Sequence, residues 1–185
     1  MTSMNDVIKQ VVASCAVILC MGAPATAETV DEMFERLAAA SSAEEARRIE
    51  ARIATEWSKS GSPAIDLLWQ RGRDALEAGD AHAAIEHFTA AIDHAPGFAE
   101  AWHGRATAYF MAEAFGPALD DIRETLVLNP RHFGAMRGLA IIMEQIGEEE
   151  TSIEVMDRIL AIHPFMEDVA EARNRLTLRL DGLPL

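Results

Sequence analysis

Three prolines, Pro96, Pro130 and Pro164, recur at intervals of 34 residues along the second half of the chain. Each of them closes a segment that has the same order of large and small apolar residues. A period of roughly 20 to 50 residues is typical of repeat proteins, in which every unit buries its apolar face only against neighbouring units. The spacing therefore predicts a stack of helix–turn–helix units, with the prolines in the turns between them, where proline ends a helix.

Three consecutive segments, residues 65–98, 99–132 and 133–166, align on one another without an insertion. In each segment the fourth residue is large and apolar, and the eighth is small. A close crossing of two helices requires this combination, because small residues let the backbones approach and large ones fill the space on either side. A small and then a large residue recur in the second half of every segment. The aligned residues are Leu68, Trp102 and Met136; Gly72, Ala106 and Ala140; Ala84, Ala118 and Ser152; and Phe88, Ile122 and Met156.

This pattern resembles the tetratricopeptide repeat, and the resemblance extends over residues 65–166. Gly79 and Gly147 lie where the first helix of a repeat ends, a position that favours the left-handed backbone conformation. The sequence departs from the family pattern at Arg71 and Arg105, where leucine is usual. The resemblance implies an all-α fold, a right-handed superhelical stack of three in-phase repeats, whose concave face binds another protein.

The segments that flank the repeats are also expected to be helical. Residues 28–62 carry apolar residues at helical spacing and a capping sequence at Ser42 to Glu45, which together indicate a pair of helices. We expect this pair to be a degenerate repeat that caps the open end of the stack, because terminal repeats must present a polar outer face. Residues 167–185 are expected to form a C-terminal capping helix, which makes nine helices in all.

Residues 1–27 have the composition of a targeting segment. Lys9 precedes an apolar run, and Ala25-Thr26-Ala27 follows it, which is the order found in a secretory signal peptide cleaved after Ala27. We therefore expect export to a bacterial periplasm, with both cysteines removed and no disulfide framework in the remaining chain. An uncleaved membrane anchor and a lipid attached at Cys15 are the alternatives, although the apolar run is shorter than the roughly 20 residues that span a bilayer.

The formal net charge is −14 at pH 7. Nucleic acids and anionic lipid surfaces require positive patches on a protein, so this charge argues against both as partners. The charge permits a basic or neutral protein partner, and it also serves solubility alone. Motifs for nucleotide binding and nucleophilic hydrolysis are missing from the sequence, and His82 with Glu86, four residues apart, lacks a further metal ligand. We therefore predict no enzyme activity, no metal site and no cofactor.

The family resemblance assigns the binding surface to the first helix of each repeat, where five positions face the concave groove. Carried over to this sequence, they give aromatic and aliphatic side chains for apolar contact, with Arg73 and Arg137 for charge, and such residues are frequent binding hot spots. Trp69 has a second interpretation, in which it packs beneath Ile53 or Trp57. The residues carried over are Asp66, Trp69, Arg73, Leu76 and Glu77 from the first repeat, Glu100, His103, Thr107, Phe110 and Met111 from the second, and Gly134, Arg137, Ile141, Glu144 and Gln145 from the third.

Two functions remain open from the sequence. The first is a periplasmic adaptor that binds a peptide segment of an envelope protein in the groove. The lysine and asparagine pattern with which chaperone-binding members of the family hold a C-terminal carboxylate is absent here, although Arg73 and Arg137 could pair with an acidic peptide. The second is a structural protein that associates with itself, because apolar residues of the last helix form an open face: Leu176, Leu178, Leu180 and Leu183.

Overall fold

The computed structural model describes residues 28–182, which fold into nine α-helices without a strand in that range. The all-α class expected from the sequence is therefore confirmed. The expected signal peptide, residues 1–27, lies outside the described residues, as does Leu183. None of the nine helices combines the length and the hydropathy that crossing a bilayer requires. The helices are α1 (Val30–Ala38), α2 (Ala43–Trp57), α3 (Pro63–Glu77), α4 (Ala81–His94), α5 (Ala99–Met111), α6 (Phe115–Leu128), α7 (Phe133–Gln145), α8 (Glu149–Ile162) and α9 (Glu167–Leu180).

Local interactions fix where these helices begin and end. At the start of α1, the Thr29 hydroxyl accepts a hydrogen bond from the Glu32 amide, and the Glu32 carboxylate accepts one from the Thr29 amide. Gly79 and Gly147 follow α3 and α7 with φ angles of 77° and 86°, the left-handed conformation predicted for them. The second repeat has no glycine at this position, and Glu113 adopts φ of 57° instead. The turn geometry is therefore kept even where its preferred residue is replaced.

The three repeats are the helix pairs α3–α4, α5–α6 and α7–α8, stacked side by side. Small residues at the helix crossings are almost completely buried, as the aligned pattern predicts: Ala84 and Ala118 are fully buried and Ala140 is 1% exposed. Phe88, on α4, fills the space between the first two repeats and is fully buried. Helix α9 covers the open side of α8, as expected for a C-terminal cap.

A buried ion pair explains why arginine stands at a usual leucine position in the second repeat. Arg105, on α5, donates two hydrogen bonds to the Asp121 carboxylate on α6, at 2.8 and 2.9 Å, and a third to the Thr89 hydroxyl on α4, at 3.1 Å. Its guanidinium group lies 5.0 Å from the ring centre of Trp102. Arg105 thus joins the first and second repeats through polar contacts where leucine would join them through apolar ones.

The N-terminal pair, defined as α1 and α2, does not cap the first repeat as expected. Helix α2 does not pack along α3, the helix that follows it in the chain, whereas α1 packs against α8 of the third repeat. The Trp57 ring stacks on His132 at 4.7 Å and lies 5.2 Å from Phe133, which begins α7. The linker between α2 and α3, residues 58–62, contains Gly61 with φ of 82°. The apolar stripe of the pair is therefore satisfied by the far repeat, and the expected terminal position was wrong.

Candidate binding groove

The first helices of the three repeats, α3, α5 and α7, form one concave surface that contains two adjoining cavities. The first cavity, of about 480 Å³, lies between α3 and α5. The second cavity, of about 380 Å³, lies between α5 and α7. His103 and Thr107 line both, so the two cavities form a continuous groove across the repeats. Most of the residues predicted to face the groove line one of them: Trp69, Arg73, Leu76, Glu100, His103 and Thr107 the first, and Phe110, Gly134, Arg137 and Ile141 the second.

Two glycines open the floor of the first cavity down to an aromatic ring. Gly72 on α3 and Gly104 on α5 are both buried, and both lie against the Phe88 ring of α4. A Cβ atom at either position would meet that ring at 2.5 to 2.6 Å, far inside van der Waals contact. The glycines therefore allow both backbones to approach the ring, which reaches the cavity between them.

The arginines of the groove already have carboxylate partners in this chain. Arg73 lies 5.1 Å from the ring centre of Trp69 and pairs with Glu77 at 3.4 Å. Arg137 pairs with Asp168, the second residue of α9, at 2.6 Å. Both pairs are about half exposed, where an ion pair contributes little to stability and can be exchanged for a ligand's carboxylate. The groove thus offers two cations whose charge is locally balanced.

A cluster of three titratable residues lies where the two cavities meet. The His132 Nδ1 atom accepts a hydrogen bond from the Ala135 amide and caps α7, while its Nε2 atom lies 2.9 Å from Glu100 Oε1. Because Nδ1 is an acceptor, Nε2 carries the proton of the neutral ring and donates a hydrogen bond to the Glu100 carboxylate. The His103 ring lies 4.4 Å from the His132 ring. The cluster is therefore a polar junction between the second and third repeats.

The surroundings of this cluster keep His103 neutral and Glu100 ionised. Burial, and then the neighbouring His132, lower the pKa of His103 from 6.5 to about 4. For Glu100, burial raises the pKa, but the hydrogen bond from His132 and the charges nearby outweigh it, so the pKa lies below its ordinary value. At neutral pH the junction therefore carries one negative charge and at least one neutral imidazole.

The same three residues have the chemistry of metal ligands, and their donor atoms all lie within 4.8 Å of one another. The tautomer of His132 argues against a metal here. Its Nδ1 lone pair is used to cap α7, so Nε2 is protonated and has no lone pair to offer a cation. A bound metal would cost the helix cap or require an imidazolate, and we interpret the cluster as a hydrogen-bonded junction.

The remaining predicted residues lie at the edges of the groove. Trp69 packs edge-on against Phe98 at 6.3 Å. Met111 is 43% exposed at the end of α5. Glu144 is held by Arg175 and Arg179 of α9, at 3.4 and 3.2 Å, and serves the packing of that helix. Glu77 is exposed, Asp66 is held by the linker residue Ser60, and Gln145 lies at the exposed end of α7.

Several groove residues were missed by sequence reasoning. Gly104 is not among the aligned positions of the repeats, and its spacing from Gly72 gave no sign of a shared ring. His132 precedes the first helix of the third repeat, and its place at a helix start is the signal that could have identified a cap. Ala54, Thr55 and Ser58 of the N-terminal pair and its linker form one wall of the first cavity, because the pair folds back over the repeats.

Comparison with known sequences agrees with the repeat pattern. A family model described as tetratricopeptide repeat matches residues 70–120. A TPR repeat-containing protein of Rhizobium etli is 33% identical over 155 residues, which is 84% of this chain and 76% of that protein.

Comparison with solved structures gives the same fold. The first TPR of Spaghetti (RPAP3), bound to an HSP90 peptide, matches with a TM-score of 0.61 at 20% identity, over 63% of this chain and 95% of that one. The crystal structure of MamA matches with a TM-score of 0.60 at 20% identity, over 76% of this chain and 80% of that one. The TPR2B domain of yeast Sti1, in a complex with pHsp70, matches with a TM-score of 0.60 at 17% identity, over 64% of this chain and 99% of that one.

Proposed function

Because this chain belongs to the tetratricopeptide repeat family, we propose that it is a non-catalytic adaptor that binds a peptide segment of a partner protein in its groove. The observation that carries the proposal is the continuous pair of cavities along α3, α5 and α7. Of two proteins of similar fold, one is bound to an HSP90 peptide and the other is in a complex with pHsp70, which supports a peptide as the class of ligand.

The chemistry of the groove indicates what kind of peptide fits. The second cavity is lined mainly by apolar side chains, among them Phe110 and Ile141, and suits an apolar anchor residue. Glu100 lines the first cavity as an ionised carboxylate and suits a hydrogen-bond donor or a cation on the ligand. The overall charge of −14 also favours a neutral or basic partner. An acidic peptide would have to displace Glu77 or Asp168 from the groove arginines.

We propose further that the protein acts in the bacterial periplasm, with the partner in the cell envelope. The support is the charge pattern of residues 1–27 and the Ala25-Thr26-Ala27 site. Fusion of residues 1–27 to alkaline phosphatase, which is active only after export, tests this. Activity with the native segment and its loss when residues 11–23 carry two added arginines support export, and an inactive native fusion contradicts it.

Affinity capture from an envelope extract tests the adaptor function, with two matched variants of the full chain. Ile141→Ser alters the second cavity, which Ile141 lines with 36% of its surface exposed. Ile146→Ser makes the same change next to the same helix, at a residue that is 50% exposed and lines neither cavity. A protein that is retained by the native chain and by Ile146→Ser, but lost with Ile141→Ser, supports groove binding. Equal retention by all three places the binding surface elsewhere.

Self-association is the second candidate function, and the exposed residues of α9 favour it. Leu178 and Leu180 are 39% and 48% exposed on the last helix, which no further repeat covers in the described residues. Leu176 is fully buried in the core, so its expected place on this open face is wrong. Exposed apolar residues at the end of a repeat stack favour contact with a second copy. Light scattering at rising concentration measures the mass. A dimer that is lost with Leu180→Glu supports this function, and a monomer at all concentrations contradicts it.

A further inference from the structure

Part of the contact between the N-terminal pair and the repeats is a surface that we call the docking face, made of Arg131, His132, Phe133 and His163. Arg131 and His132 precede α7, Phe133 begins that helix, and His163 follows α8. Besides the contacts of Trp57 with His132 and Phe133, Phe34 lies edge-on to Phe133 at 6.4 Å. Arg131 lies 4.1 Å from the centre of the Phe34 ring and pairs with Asp31. The face thus binds an amphipathic helix pair through aromatic rings, with a carboxylate at the edge.

The polar part of this interface is poorly matched. His163 is only 2% exposed, and its Nδ1 atom has no hydrogen-bond partner among residues 28–182. Its Nε2 atom lies 3.3 Å from Glu50 Oε2, a long contact for a hydrogen bond. An unpaired buried polar atom destabilises a structure, whereas water would satisfy it if the helices moved away. The ion pair of Arg131 with Asp31 is largely exposed and adds little to the interface.

The connection between the pair and the repeats permits separation. The linker, residues 58–62, is the covalent tie, and α2 does not pack along α3. The attachment therefore depends on the docking face and the apolar cluster beneath it, in which Met33, Leu37, Ile49 and Ile53 are buried together with residues of the third repeat. Opening of the pair by itself exposes this apolar cluster and is therefore transient, whereas another apolar helix in its place would keep the cluster covered.

We propose that the docking face is a helix-binding site beside the groove, and that its resident ligand is the chain's own N-terminal pair. An amphipathic helix of a partner, with an aromatic residue and flanking carboxylates, can replace this pair. This inference does not depend on peptide binding in the groove. The resident helices define the chemistry of the partner: Phe34 and Trp57 supply the aromatic rings, and Asp31 and Glu50 the carboxylates. A tethered ligand has an effective concentration of the order of millimolar, so the resident pair competes strongly with a partner in solution.

Binding of a peptide in trans tests the proposal directly. The probe is a fluorescent peptide of residues 41–60 of this chain, which contains α2 and Trp57, and its anisotropy is measured against three full-length proteins. The native chain is the first. The second, Asp31→Arg with Glu50→Lys, reverses both carboxylates that face Arg131 and His163. The third, Glu35→Arg with Glu44→Lys, makes the same change of charge at exposed residues of the same helices that do not pair with the repeats.

The proposal predicts that the probe binds the second protein at least about tenfold more tightly than the native chain or the charge control, because weakening the tethered competitor uncovers the site. A probe with Trp57→Ala should lose that binding, since it lacks the ring that stacks on His132. Equal binding to all three proteins, or none to the second, overturns the proposal.

Hydrogen exchange of the native chain provides an independent measurement in case the charge reversal impairs folding. A docked unit that separates by itself exchanges its amides through local opening, faster than helices that open only with global unfolding. We expect amides of α1 and α2 to exchange at least about tenfold faster than the buried amides of α4 to α6. Equal protection of both groups would show that the pair is an inseparable part of the fold and would overturn the proposal.

Discussion

Substitution of Gly104 by alanine is predicted to destabilise the protein, although helix propensity alone predicts the opposite. Gly104 lies inside α5, where replacing glycine by alanine normally stabilises a helix by about 0.5–1 kcal/mol. In this structure the added Cβ would lie 2.5 Å from the Cε1 and Cζ atoms of Phe88. Favourable contact between carbon atoms requires about 3.5–4.0 Å, so the two groups would overlap by about 1 Å. The two effects have opposite signs, and the stability of the variant decides between them.

The size of the effect follows from the surroundings of the ring. Phe88 is fully buried, and the position that a Cβ on Gly72 would take lies 2.6 Å from the same Cε1 atom. The ring cannot retreat from α5 without approaching α3, so relaxation has to move a helix backbone. Overpacking of a tight core costs about 1–3 kcal/mol. After subtraction of the gain in helix propensity, we expect a net loss of about 1–2 kcal/mol, which lowers the melting temperature by about 2–8 °C for a domain of this size.

Urea unfolding followed by circular dichroism measures this loss, with Gly138→Ala as the matched control. Gly138 lies inside α7, and its Cβ would meet only Ile122 Cδ1 at 3.5 Å, an ordinary contact, so alanine should be neutral or slightly stabilising there. In a Phe88→Leu background, the cost of Gly104→Ala should fall to less than half. The reasoning is refuted if Gly104→Ala is as stable as the native chain, or if its cost is unchanged when the ring has been removed.

Two further perturbations test the charged interior. The pKa of His103 is about 4 in the folded protein, against 6.5 as the reference for the unfolded chain. Between pH 4 and pH 6.5 the folded protein therefore binds fewer protons than the unfolded chain. The stability that this histidine contributes is full above pH 6.5 and falls as the pH drops. By urea titration, we expect up to about 2 kcal/mol less free energy of unfolding at about pH 5 than at about pH 7. In His103→Gln the free energy of unfolding should depend less on pH, and an unchanged pH dependence in this variant would exclude the histidine as the cause. Arg105→Leu restores the usual family residue but leaves Asp121, which is 4% exposed, without its partner. We expect this variant to lose about 3 kcal/mol of stability in the same assay, and the loss should largely vanish in a double variant with Asp121→Leu. A stabilising effect of Arg105→Leu alone would contradict the assigned ion pair.

The repeats could be predicted from the sequence because their determinants are local and recur at a fixed period. Helix stops such as Gly79 act within a few residues, and small residues such as Ala84 and Ala140 mark crossings between adjacent helices. The place of the N-terminal pair could not be predicted in the same way. The spacing of Ile49, Ile53 and Trp57 shows which face of α2 is buried, but periodicity carries no information about which distant surface covers that face.

The residues of the groove could be predicted only where equivalent positions of the repeats determine which way a side chain faces. Register placed His103 and Phe110 on the concave surface, because equivalent residues of a repeat face the same way. The carboxylate partners of the groove arginines could be predicted from the sequence only in part. The pair of Arg73 with Glu77 follows the four-residue spacing of a helix and could have been inferred from it, whereas Arg137 finds Asp168 on a different helix. Whether a groove arginine is balanced by the protein itself therefore depends on how the helices stack.

His132 connects the two surfaces on which both proposals rest. Its Nε2 atom donates to Glu100, which lines the first cavity, its Nδ1 atom caps α7, and its ring stacks beneath Trp57 of the N-terminal pair. A ligand that takes the Glu100 carboxylate for its own donor leaves the Nε2 proton of His132 without an acceptor, which favours rotation of a ring that Trp57 requires in place. Residues 54, 55 and 58 line the same cavity, so movement of the pair also changes the shape of the groove. Binding in the groove and docking of the N-terminal pair are thus expected to be coupled, and by linkage each must alter the other's affinity by the same factor.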